Sequence, residues 1–219
     1  MNIYVVVEGN STEVKVYPSW ISEVNKHLVK VSYLSNVVNN NYIIYSGGGY
    51  PNIYKMIENA IADTNANHQF DRLVVAMDSE DEDYVTRFNE VETYILARKP
   101  RVPYKIVIQH FCIEAWALGN SKFLGKNPQG EPLSTYKGMF DVVKNDPELL
   151  PDYPEKEWNR ARFAEQYLKT AIKNRNKNLT YSKSDPHLIA HPTYFNELMV
   201  RLSKFEHIKS FEYFIDAFS

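Results

Sequence analysis

Acidic residues close three separate apolar runs of this chain. Glu8 follows Ile3-Tyr4-Val5-Val6-Val7, and the series Asp78, Ser79, Glu80, Asp81, Glu82, Asp83 follows Leu73 to Met77. Glu114 comes a few residues after Tyr104 to Ile108. Carboxylates gathered without compensating bases repel one another and hold their protons longer, so such a cluster is costly unless a cation neutralises it. Hard oxygen donors with no set of thiolates beside them point to Mg²⁺ or Mn²⁺. Those ions bridge carboxylates to phosphates, and a pair of them can activate water and stabilise the leaving oxygen of a phosphodiester. Asp81, Glu82 and Asp83 also stand just before a helical pattern, where acids cap amides and meet the positive end of the dipole, and that reading suits all three. Asp78 closes a strand instead of opening a helix, and its pairing with Glu8 after another strand favours function there.

The elements that would position these acids are legible. Residues 3–7, 42–46, 73–77 and 104–108 read as strands, the first and third buried on both faces. Between them lie helical repeats: Tyr17, Ile21, Val24, Leu28; Ile53, Ile57, Ala60, Ile61, Thr64; and Tyr84, Phe88, Val91, Ile95. Ser11 or Thr12 can cap the first helix, which is expected to begin or kink near Pro18. Pro51 suits the first helical position of the second. Strands alternating with helices at this spacing imply crossover connections, hence an α/β, Rossmann-like fold with a mostly parallel sheet flanked by helices on both faces. Ligands of such sheets bind outside the carboxyl ends of the strands, so Glu8, Asp78 and Glu114 should open onto one rim.

The pattern weakens after Leu118. Residues 119–155 hold five prolines (Pro128, Pro132, Pro147, Pro151, Pro154) and four of the eight glycines, which reads as a loop-rich insertion around a short helix near 134–145, rather than core. From Trp158 a mainly α-helical C-terminal part is expected. Its first helix has an apolar face of Phe163, Ala164, Tyr167, Leu168, Ala171 and Ile172, and further helices follow around residues 195–202 and 211–218. The division is therefore 1–118 as core, 119–155 as insertion and 156–219 as a helical extension packed on that core.

Composition narrows the class. At 219 residues, 44% hydrophobic and 24% charged, the chain is neither disordered nor fibrous, and one core suffices at this length. Its apolar stretches of about five residues fall far short of the ~20 that a spanning helix needs. No basic segment and apolar run open the chain, so no signal peptide is expected, and the location is read as cytoplasmic. The single cysteine, Cys112, excludes an internal disulfide framework and a cysteine-based zinc cluster. The net charge of −2 hides eight basic residues against two acidic ones within 156–183. Among these, Arg162, Lys169, Lys173 and Lys177 line the polar face of the first C-terminal helix, where they can track a nucleic-acid backbone or simply solvate the surface.

Other constellations have plainer readings. Gly47-Gly48-Gly49 makes a strand-to-helix turn, and with no Gly-Lys-Ser/Thr after it a nucleotide P-loop is excluded. His187 and His191 have metal-ligand spacing, but Pro186 and Pro192 interrupt any common helix. Cys112 sits among apolar residues and reads as a buried, inert thiol. His110 can contact substrate or serve a structural hydrogen bond.

Four segments, taken in order, resemble one family. Val7-Glu8-Gly9-Asn10-Ser11-Thr12-Glu13 is similar to the opening motif of Toprim domains, and Val74-Val75-Ala76-Met77-Asp78-Ser79-Glu80 to the strand that ends in the Toprim acidic pair. His110-Phe111-Cys112-Ile113-Glu114-Ala115-Trp116-Ala117-Leu118 resembles the Cys-Phe-Glu-x-Trp-x-Leu signature of small RloB-like Toprim proteins, and Tyr181-Ser182-Lys183 a late Tyr-x-Lys element of the same group, which is also akin to the overcoming-lysogenization-defect nucleases. The resemblance implies a Toprim-like fold and a nuclease dependent on Mg²⁺ or Mn²⁺ that acts on DNA or RNA. Glu8 would be metal ligand or general base, Asp78 the leading metal ligand and Glu114 a further one. Lys183 would stabilise charge at the scissile phosphate. Glu13 matches the second glutamate of the opening motif, and also suits a first-turn acid. The usual Asp-x-Asp reads Asp78-Ser79-Glu80 here, so the second acid is Glu80 or Asp81. The same resemblance implies an effector of bacterial anti-phage defence controlled by a separate ATPase. Two other readings remain open: a non-catalytic scaffold in a larger complex, and a phosphatase or phosphotransfer enzyme of small substrates. Nothing in the sequence sets the oligomeric state.

Overall fold

A computed structural model describes residues 1–123 and 130–219. Pro128, one of the prolines assigned to the insertion, lies outside these residues. The strands are β1 (Ile3–Val7), β2 (Val29–Lys30), β3 (Asn41–Ser46), β4 (Arg72–Asp78) and β5 (Tyr104–Gln109). The helices are α1 (Thr12–Val24), α2 (Ile53–Ala66), α3 (Tyr84–Ala97), α4 (Ile113–Ala117), α5 (Leu133–Met139), α6 (Arg160–Arg175), α7 (His187–Ala190), α8 (Pro192–Phe205) and α9 (Ser210–Phe218). Every strand pairing is parallel, and the order is β2-β3-β1-β4-β5. The chain is thus an α/β protein with a parallel sheet and a helical C-terminal part, and none of its described helices is long and apolar enough to cross a membrane.

Alternation along the strands splits the core in two. Tyr4, Val6, Leu73, Val75, Met77, Ile106 and Ile108 pack with Ile53, Ile57 and Ile61 of α2 and Val91 and Ile95 of α3. Ile3, Val5, Val7, Val74, Ala76 and Val107 face the other way, onto α1 and the C-terminal helices. There Trp20 meets Phe211 at 5.4 Å between ring centroids, and Trp116 meets Phe211 at 5.0 Å. Edge-to-face aromatic pairs of this kind add about 0.5–1.5 kcal/mol each beyond the area they bury. The Trp20 indole N–H donates to the Ile189 carbonyl at 2.9 Å, tying α1 to α7. The predicted apolar face of α6 is the buried one, residue for residue.

Four local expectations are corrected. Helix α1 begins at Thr12 and not near Pro18, which lies inside it, the position at which a kink was the other expectation; burial of Tyr17, Trp20 and Ile21 around the proline offsets the lost N–H bond. Ser11 occupies the N-cap position without a side-chain cap bond, and Thr12 instead donates its hydroxyl to the Lys183 carbonyl at 3.2 Å. Pro51 sits in the turn before α2, which starts two residues later. The described residues of the 119–155 segment are largely loop around α5, but Leu133 and Tyr136 of α5 and Val142, Leu150 and Tyr153 after it are buried in the same cluster as the sheet. Its loops as well as its short helix carry core side chains, because spaced apolar residues such as Val142, Leu150 and Tyr153 can fill a core without a regular element beneath them. The edge strand β2 was not foreseen, since both its residues are exposed and carry no alternation.

Candidate active site

The sheet reverses direction of growth at β1, which lies between β3 and β4. In open α/β sheets the crevice at such a switch, beyond the carboxyl ends of the strands, is where ligands bind. Glu8 and Asp78 end the two strands that flank it. The register brings Val7 beside Ala76, and the Asp78 N–H donates to Glu8 Oε2 at 3.2 Å. From the other side the glycine turn closes on Glu8: the Tyr50 N–H donates to Oε1 at 3.2 Å, and the Gly49 N–H to the Glu8 carbonyl at 2.9 Å. This approach needs glycine, since a Cβ on Gly47 would stand 2.6 Å from the Ile53 Cα. Backbone amides on both sides therefore fix the Glu8 carboxylate in place.

A pocket of about 230 Å³ opens here, lined by five acidic residues, Glu8, Glu13, Asp78, Glu80 and Glu114, and by Lys183. Glu114, on α4, is buried; its Oε1 accepts from the Tyr181 hydroxyl at 2.7 Å, whereas Oε2 has no hydrogen-bond partner among the described residues. Asp78 Oδ1 is likewise buried and unpartnered. Burial, with the charges of Glu13, Glu8 and Glu114, pushes the Asp78 carboxyl well above its usual range against the pull of Lys183. Burial likewise raises Glu8, opposed by the N–H of Asp78. Glu13 rises from 4.5 to about 7, chiefly by burial and then by the charge of Glu114. Lys183 is held above its ordinary value mainly by Glu114, with burial opposing and Asp78 adding.

The site thus brings together Glu8, Asp78, Glu80, Glu114 and Lys183. It does not include Asp81. The chain turns through Glu80 at φ +50°, which sends the next side chain to the far side of the loop, where the Asn159 amide donates to Asp81 at 3.2 Å. Arg160 fastens that loop, donating to the carbonyls of Glu80 and Glu82. Glu13, matched to the family motif but also read as a first-turn acid, is a buried member of the cluster. Its signal was its place in the first turn of α1, directly after the loop that carries Glu8. Arg160 had no signal in its spacing, because it acts through backbone carbonyls.

The donor chemistry suits a hard divalent cation: Asp78 Oδ1 and Glu114 Oε2 are the open oxygens, with Glu13 and Glu80 beside them. Yet no group of three or more such side chains, among the described residues, is already arranged to hold an ion. Gly9 bears on this arrangement. A Cβ there would stand 2.1 Å from Glu13 Oε2, the far end of a flexible side chain. Gly9→Ala should therefore leave the thermal midpoint within a degree or two while displacing the Glu13 carboxylate and weakening divalent-cation affinity, on the order of tenfold. Calorimetry beside thermal unfolding checks this, and unchanged affinity would remove Glu13 from the binding set.

Lys169, Lys173 and Lys177 line a groove of about 510 Å³ together with Glu131, Pro132 and Thr170. Lys169 also pairs with Glu165. Arg162 lies outside that groove, over the Trp158 ring at 5.6 Å. Cys112 is buried and its thiol is pushed well up by burial and by Glu114. His187 belongs to α7, whereas His191 caps α8, accepting from the Thr193 N–H at 3.2 Å. Compared with known proteins, the chain matches no family model, no curated protein and no solved structure.

Proposed function

We propose that this chain is a Toprim-like nuclease that hydrolyses phosphodiester bonds of DNA or RNA with Mg²⁺ or Mn²⁺. The observation that carries the reading is the convergence of Glu8, Glu13, Asp78, Glu80 and Glu114 on one crevice at the sheet's switch point, with bare buried oxygens on Asp78 and Glu114. Bound divalent ions would neutralise these carboxylates and supply the Lewis acidity for attack of water on a phosphate. Asp78 and Glu114 would be the principal ligands, with Glu80 as the second acid of the motif. Glu8, held by two backbone N–H groups, orients the cluster or takes a proton from the attacking water. Lys183, kept cationic by Glu114 and Asp78, stabilises charge developing on the phosphate. The groove of Lys169, Lys173 and Lys177 supplies sequence-independent attraction for the backbone. Through the resemblance alone, the reading carries an effector role in bacterial anti-phage defence and a separate ATPase partner.

One observation favours a second reading. With no three carboxylates among the described residues already set for an ion, the chain would serve as a Toprim-like scaffold that binds without cutting. Calorimetry with Mg²⁺ or Mn²⁺, with and without a short oligonucleotide, separates the two. The nuclease reading expects binding in the wild type that Glu8→Ala and Asp78→Ala each weaken at least tenfold. Absence of cation binding even with the oligonucleotide present would leave the scaffold.

A further inference from the structure

The loop that carries Asp78 and Glu80 on one side has a second cavity behind it. This one, of about 720 Å³, is lined by Asp81, Asp83, His110, Glu148, Asp152 and Arg160, with Leu149 and Pro151 on its wall. It shares His110 and Glu148 with an adjoining recess of about 250 Å³ bounded by Tyr84, Tyr213, Lys209 and Ser210. The wall between the carboxylate crevice and this cavity is one loop thick and is held by the Arg160 bonds described above.

We propose that this second cavity receives a base of a single-stranded polynucleotide whose phosphate lies over the carboxylate crevice; the inference rests on the nuclease reading. Most polar groups around the cavity are already committed to the fold. Asp83 caps α3 through the Thr86 N–H at 3.1 Å, Asp152 accepts the Arg160 N–H at 2.8 Å, and Asp81 accepts from Asn159. Glu148 accepts from the Ser210 N–H at 3.1 Å and the Trp116 indole at 3.2 Å. The exception is His110, whose Nδ1 is buried without a hydrogen-bond partner among the described residues. The recess supplies aromatic faces as well: the rings of Tyr84 and Tyr213 lie 5.6 Å apart at 27°, and Tyr213 is 48% exposed. Aromatic surface beside an unpaired edge group is what an unstacked base requires, since stacking gives affinity and the edge gives selectivity. Asp81, Asp83, Glu148 and Asp152 repel phosphate, so the cavity suits the uncharged ring; in the crevice, cations bound by the carboxylates would offset the same repulsion and hold the backbone on that side of the loop.

The test is fluorescence anisotropy of single-stranded oligonucleotides at 50 mM salt with Ca²⁺ in place of Mg²⁺ or Mn²⁺, so that a divalent cation neutralises the carboxylates, and with an abasic residue moved stepwise along the strand. One abasic position should weaken binding to the wild type about tenfold, as expected for one stacked base. Tyr213→Ala and His110→Ala should each weaken the intact strand similarly and erase the difference between intact and abasic strands. Equal affinity for every abasic strand, or full affinity in Tyr213→Ala, overturns the pocket while leaving the nuclease reading in place. If the wild type binds no single strand, the nuclease reading falls, and titration with uncharged nucleosides, followed by NMR, then decides the pocket alone. Shifts confined to His110, Tyr84 and Tyr213 would sustain it, and none would end it.

Discussion

Asp78→Ala is expected to abolish metal-dependent phosphodiester cleavage, by roughly 10³-fold or more, while leaving the protein at least as stable as the wild type in metal-free buffer at neutral pH. The two halves of that result have one cause. The Asp78 carboxyl has a buried oxygen with no partner among the described residues and is crowded by Glu13, Glu8 and Glu114, so in the absence of a cation it costs the fold more than it contributes. Its backbone N–H, the group that holds Glu8, survives the substitution. A destabilised variant would make loss of activity uninformative, so thermal unfolding must accompany the assay; an unchanged or slightly higher midpoint is the expected companion. Asp81→Ala is the matched control. Its carboxylate lies across the loop with Asn159, so cleavage should stay within a few-fold of wild type, whereas Glu80→Ala should lose activity strongly. Retained cleavage in Asp78→Ala would sink the proposed role. Loss in Asp81→Ala with retention in Glu80→Ala would move the second ligand to the other side of the loop.

That contrast between Glu80 and Asp81 marks the limit of what the sequence could say. The strands were readable because buried β-branched runs between helical repeats leave few alternatives, and the rule that ligands gather at the carboxyl ends then located Glu8, Asp78 and Glu114 without any contact being known. Which of two adjacent acids faces the crevice depends on one backbone angle, the φ of +50° at Glu80, and no periodicity encodes it. Glu13 was legible as an acid in a first helical turn, but its burial depends on α1 packing beneath Lys183 and α4, contacts between residues far apart in the chain. The 119–155 segment misled for a related reason: prolines and glycines report the path of the backbone, not whether Tyr136 or Tyr153 fills a core. Of the basic row expected on one helix face, Arg162, Lys169 and Lys173 lie on α6, whereas Lys177 follows the end of the helix at Arg175, and only the three-dimensional path separates Arg162, resting on Trp158, from the groove of Lys169, Lys173 and Lys177.

Without divalent cations, the crevice should weaken the fold as pH rises toward neutrality, and Glu13→Gln should relieve that weakness. Glu13 and Glu148 both rise from 4.5 to about 7, each mainly through burial, and Glu8 and Asp78 are raised as well. An acid whose folded pKa exceeds its unfolded one contributes stability fully present below the unfolded value and lost as pH climbs through the folded value. For Glu13 that window runs from 4.5 to about 7, and the loss is on the order of 3 kcal/mol. His110 and His207 work the other way, because burial lowers both and their stabilisation is lost on acidification. The net profile of the wild type therefore mixes opposing groups, and the difference between variants isolates one of them. Wild type and Glu13→Gln should unfold at nearly the same temperature near pH 4.5. By pH 8 the variant should be the more stable by several degrees, since a domain of this size gains roughly 2–4 °C per kcal/mol. Saturating Mg²⁺ or Mn²⁺ should then close the gap or reverse it, because a cation that neutralises the cluster stabilises the chain that still carries the carboxylate. A gap that did not change with pH would mean that Glu13 is not titrating in the crevice. One that grew with pH but ignored the cation would show a strained acidic cluster that serves something other than metal binding.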